Sequence, residues 1–67
     1  MPRGTVVDFD EHRGNGTVRA DDGTEHPFHC TQIADGSRTI EVGTSVDYEV
    51  VPGHLGRWEA ARLTPQA

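Results

Sequence analysis

The sequence predicts an all-β fold, a small five-stranded antiparallel barrel, and three observations predict it. Short runs rich in Val, Thr, Ile, Tyr and Phe recur along the 67 residues, separated by Gly, Asp and Pro clusters. No segment sustains an apolar pattern at i, i+3, i+4, i+7, so no amphipathic helix is expected. Five short strands leave exposed edges unless the sheet closes on itself, and closure removes them.

In order, the strands are expected at Gly4–Asp10, Asn15–Arg19, Thr24–His29, Ser45–Val51 and Trp58–Thr64. Arg13-Gly14-Asn15-Gly16 and Asp21-Asp22-Gly23 supply the positive-φ residues of tight hairpin turns, so the first three strands should form a meander. Thr31 to Gly43 is the longest connection, polar except for Ile33, Ala34, Ile40 and Val42, and should cross between the halves of the sheet. Pro52-Gly53-His54-Leu55-Gly56 reads as the turn before the last strand. Alternation along the strands gives a core of Val6, Val18, Phe28, Ile33, Val46, Tyr48, Val50, Ala60 and Leu63.

Length and composition narrow the function. A chain of this size buries only about 60% of its unfolded surface, which supports one core and one domain over residues 1–67. The lone Cys30 makes no internal disulfide, and no apolar run suggests a signal peptide or membrane span, so a soluble cytoplasmic protein is expected; a monomer is the first expectation and a dimer through edge strands the alternative. The net charge is −5 and every basic side chain is Arg: Arg3, Arg13, Arg19, Arg38, Arg57 and Arg62. That balance argues against non-specific binding to duplex phosphate, while a local Arg patch can still serve single strands where stacking supplies the rest.

These residues resemble the bacterial cold-shock proteins, small OB-like domains, over essentially the whole chain. Gly4-Thr5-Val6-Val7-Asp8-Phe9-Asp10 is similar to the family's first strand, G-x-V-K-W-F-N. Arg13-Gly14-Asn15-Gly16-Thr17-Val18 matches its first ribonucleoprotein motif, K-G-F-G-F-I, and His26-Pro27-Phe28-His29-Cys30 with Thr31-Gln32-Ile33 matches V-F-V-H-F and S-A-I. Gly43, Val46 and Ala60-Ala61-Arg62-Leu63-Thr64 sit where the family has its fourth and fifth strands.

The resemblance implies binding of single-stranded RNA or DNA on outward aromatics, a role in regulating gene expression and no enzymatic activity. The substitutions fall on those aromatics: Asp8, Asn15, Thr17, Pro27 and Cys30 occupy the stacking positions. Stacking on an aromatic contributes about 1–3 kcal/mol per base, so losing several implies an affinity roughly three or more orders of magnitude below an intact platform. Phe9, Arg13 and His29 keep the family's type and carry the binding role by resemblance. Arg57 and Trp58 could rebuild a stacking and phosphate-contacting site, or Trp58 could instead cap the barrel end. His26 could stack on a base or sit as a satisfied polar residue of the barrel wall. The competing reading is a cold-shock fold that has lost nucleic acid and offers an acidic face, Asp8, Asp10, Glu11 and Glu25, to a protein partner.

Other chemistry is not expected. His26, His29 and Cys30 are zinc-ligand types, but residues three apart on a strand face opposite ways, and a fourth ligand such as His54 or His12 would have to arrive by chance. Neither metal nor cofactor is expected. Asp8 and Asp10 lack an apolar cleft to shift their pKa values for acid–base work, and Gly14-x-Gly16 precedes no helix that could hold a phosphate.

Overall fold

The computed structural model describes residues 3–53 and 56–66. Five strands, β1 (Arg3–Asp10), β2 (Asn15–Ala20), β3 (Glu25–His29), β4 (Ser45–Pro52) and β5 (Trp58–Pro65), form one antiparallel sheet in the order β3-β2-β1-β4-β5. Each begins and ends within one residue of the sequence expectation, because the turn glycines fix the joints. Gly14 (φ 72°) and Gly23 (φ 91°) take the positive φ that the two hairpins require. Asp22 and Asp35 reinforce two bends by accepting the backbone N–H of Thr24 and Ser37, both at 2.9 Å. Those bonds hold both carboxyl groups below their ordinary pKa.

The connection after β3 returns to β5. A short 3-10 turn, Cys30–Gln32, follows β3 and carries the chain to β5, where Ile33 bridges Leu63 in parallel and the Ala34 amide donates to the Leu63 carbonyl at 2.8 Å. Val6, Val18, Phe28, Val46, Tyr48, Ala60 and Leu63 form the buried cluster, with Ile33 and Ala61 also buried. Gly16 lets β1, β2 and Phe28 close up: a Cβ there would lie 2.5 Å from Phe28 Cζ and 2.6 Å from the Asp8 carbonyl oxygen.

Val50 departs from the expected core and is 37% exposed. Alternation points it inward, but β1 pairs with β4 only over Ser45–Asp47, so the far end of β4 runs on as a two-strand ribbon with β5 and, among the described residues, no third strand pairs with it. Ala61 replaces it in the interior. The β4–β5 register shifts between Asp47 and Glu49, and Arg62, two residues from Thr64 in that bulge, adopts φ 54°.

One polar pair is left inside. The Tyr48 hydroxyl and His26 Nδ1 are both buried without a hydrogen-bond partner, and their rings lie 6.2 Å apart at 52°. Burial and the nearby carboxylates of Asp22 and Asp21 push the Tyr48 phenol above its ordinary pKa, so it stays neutral. His26 is half-buried on β3, and its Nδ1 lacks the partner that a satisfied wall residue would have.

Candidate nucleic-acid interface

The outward face of the β1–β2–β3 meander is built by the same alternation that fills the core. On β3, Phe28 points in while Pro27 and His29 are exposed; on β2, Gly16 and Val18 point in while Asn15 is exposed. A cleft of about 600 Å³ opens on this face, and Asp8, Asn15, Thr17 and Pro27, four of the five substituted stacking positions, line it. Where the resemblance calls for rings, the cleft wall is short and polar.

Three expected site residues, Arg13, His29 and Arg57, meet in that cleft. The His29 ring is held: its Nδ1 accepts the Thr31 backbone N–H at 3.3 Å and lies 3.0 Å from Thr31 Oγ1. With Nδ1 accepting, the tautomer that fits these contacts carries its proton on Nε2, which is then a hydrogen-bond donor. Asp8, Asp10 and Glu59 line the same cleft, so cations and carboxylates alternate around it.

Phe9 and Trp58 lie elsewhere. Phe9 is half-buried, stacked parallel on Phe28 at 6.0 Å and 10° and packed against the core, and it borders a neighbouring groove and not the cleft. Trp58 opens β5 opposite Pro52 and is 58% exposed, an accessible aromatic next to Arg57. His54 and Leu55, which the sequence sets beside Trp58, lie outside the described residues.

How the arginines are partnered sorts them. Arg3, Arg19 and Arg62 pair with Asp47, Glu25 and Glu49, which also removes Glu25 from any free acidic face. Arg13, Arg38 and Arg57 have no ion pair among the described residues. Arg38 lines a second hollow of about 370 Å³ together with His29 and Cys30, the fifth substituted position. Sequence reasoning passed over Arg38 because it sits in the long polar connection; its clue was being one of few cations in a chain without Lys.

Metal chemistry gains no support from the geometry. His26 is half-buried and His29 exposed on opposite faces of β3, and among the described residues no three metal-ligand side chains gather.

The strand order, the antiparallel ladder and the exposed meander face are consistent with the OB-like class of small all-β domains. No family model matches the chain. Cold shock protein CspB of Bacillus caldolyticus is 35% identical over 57 residues, 84% of this chain and 86% of that protein. Cold shock protein 2 of Lactiplantibacillus plantarum is 34% identical over 67 residues, 98% of this chain and all of its relative. Cold shock-like protein CspA of Stigmatella aurantiaca is 38% identical over 58 residues, 84% of this chain and 85% of that protein. The chain belongs to the cold shock protein family.

Proposed function

We propose that this protein binds single-stranded RNA or DNA modestly, as a divergent cold-shock protein acting in the regulation of gene expression and not as an enzyme. The observation that carries this reading is the sorting of the arginines: each of the three without an ion pair lines a hollow that His29 also lines. A strand crossing His29 would meet Arg13 and Arg57 on one side and Arg38 on the other, with Trp58 next to Arg57 as a stacking surface. Phe9 supports the wall from behind, through Phe28. The Ile33–Leu63 bridge favours taking the sheet as a closed barrel, which would keep this face rigid.

Affinity should be low, because arginines replace stacking by charge in a site that also holds carboxylates. Three phosphate contacts to a single strand give a log K against log salt slope of about −2. Titration with oligo-dT and mixed RNA oligonucleotides at low and moderate salt, followed by NMR, tests this: saturable shifts at Arg13, His29, Arg38 and Trp58, with Trp58 emission quenched, are expected. Absence of shifts up to millimolar oligonucleotide would sink it. One observation favours the competing reading, a module for a protein partner: four carboxylates, Asp8, Asp10, Glu11 and Glu41, line the groove beside Phe9 without an ion pair among the described residues.

A further inference from the structure

The groove bordering Phe9 has features that nucleic acid does not explain. It is a shallow, open hollow of about 920 Å³ between the end of β1 and the connection before β4, a shape suited to an extended chain laid along the surface. Its floor is apolar: Phe9 and Ile40 pack on the core from this side, and Val42 is 61% exposed. Its rim is acidic, with Asp8, Glu11 and Glu41 in no ion pair or side-chain hydrogen bond among the described residues. A phosphate chain is repelled by such a rim.

The walls are preformed. The Gly43 amide donates to the Val6 carbonyl at 2.7 Å and the Val6 amide to the Thr44 carbonyl at 2.9 Å, while the Thr44 amide reaches the Glu41 carbonyl at 3.2 Å. These bonds fasten the Glu41–Val42 turn to β1 and hold Ile40 and Val42 opposite Phe9. β1 is also half-used as a strand. It pairs with β2 along its length, but its pairs with β4 stop at Thr5, and its register with β2 shifts between Val6 and Asp8. From Val7 to Asp10 the edge away from β2 has no strand paired with it among the described residues, and that edge forms one side of the groove.

We propose that this groove is a docking site for an extended, cationic segment of a partner protein, with aliphatic side chains seated on Phe9, Ile40 and Val42 and flanking Arg or Lys residues facing Asp8, Glu11 and Glu41. Charge complementarity selects the occupant: an acidic rim over an apolar floor matches alternating basic and aliphatic residues, and an open strand edge matches an extended backbone. The site adjoins the oligonucleotide surface, sharing Asp8 and Asp10 with it, and does not depend on that surface being functional.

The test uses the blocked peptide Arg-Val-Arg-Val-Arg and its charge-reversed counterpart Glu-Val-Glu-Val-Glu, titrated into the isotopically labelled protein at low salt. Saturable shifts confined to Asp8–His12 and Ile40–Val42 are expected with the basic peptide and none with the acidic one. Glu11→Gln combined with Glu41→Gln, and separately Val42→Ser, should each weaken binding at least about fivefold while the rest of the spectrum stays unchanged. Both variants alter exposed side chains, so that spectrum also confirms an intact fold. Three results overturn the proposal: no saturation, equal binding of both peptides, or shifts confined to the Arg13–His29 cleft. Sedimentation of the protein alone supplies a fourth, since concentration-dependent self-association that the peptide reverses would assign the groove to a second copy. Oligonucleotide titration of the same variants, expected unchanged, keeps this outcome distinct from that of the proposed function.

Discussion

The inward and outward faces of the β1–β2–β3 meander are made by the same three strands, their residues taken alternately, yet they tolerate change very differently. Inward positions hold Val6, Gly16, Val18 and Phe28, all buried, and Gly16 leaves no room even for a methyl group. Outward positions hold Asp8, Asn15, Thr17, Pro27 and His29, polar or small residues around an open cleft. Close packing penalises each added or missing atom inside, whereas outside only a ligand reads the side chain. A binding face can therefore drift while the sheet beneath it stays fixed.

The difference can be broken most sharply from within. Gly16→Ala places a methyl against Phe28 and the Asp8 carbonyl, and should cost about 3 kcal/mol, enough to unfold much of so small a domain; urea denaturation measures it, and a loss below about 1 kcal/mol would mean the interior is looser than it looks. The outward counterpart is Thr17→Phe, which restores one stacking ring: oligo-dT affinity should rise about tenfold or more with little change in urea midpoint. If affinity stays flat, the cleft is not where bases lie.

Arg38→Ala should lower oligonucleotide affinity a few-fold at low salt and flatten the salt slope by about 0.7, and an unchanged slope would remove Arg38 from the path. Arg62 crosses the divide, because its side chain is exposed while its φ of 54° belongs to the bulge of β5. Arg62→Asn suits that conformation better and should stabilise the fold by about 0.5–1 kcal/mol, the ion pair lost to Glu49 being exposed and long at 3.7 Å.

The smallest effect concerns exposed residues with a structural task. Asp22 and Asp35 have folded pKa values depressed by the amides they accept, so their stabilisation is complete above the ordinary value of 3.8 and is lost as pH falls through the folded values. Asp22→Asn with Asp35→Asn should make the acid limb of a stability–pH curve below about pH 4 shallower, and an identical limb would show that the two bends do not need the charge.

Strand positions were legible in the sequence because Gly14, Gly23 and the Pro52–Gly56 cluster mark the joints, and alternation between joints gave most of the core. Alternation could not reveal that β4 outlasts its pairing with β1, which is why Val50 lies on a two-strand ribbon. The candidate site was legible where it lies on the meander: Arg13 and His29 flank strands whose parity is plain, and Arg57 precedes one. It was not legible where loops return from a distance. Arg38 reaches His29, and Glu41 reaches Asp8, only through the path of the long connection. Trp58 was undecidable in principle, since a lone aromatic at a strand start fits equally a covered end and a bare one.

Asp8 and Asp10 line both the cationic cleft and the acidic groove. Two ligands of opposite charge would thus share the same two carboxylates, one repelled by them and the other attracted. A basic segment in the groove screens that repulsion and strengthens the hold of the cleft on a phosphate chain. By thermodynamic reciprocity the phosphate chain then strengthens the hold on the basic segment by the same factor. The carboxylates that weaken the complex with a phosphate chain alone would thus make the ternary complex cooperative, and the protein would respond to the coincidence of its two ligands.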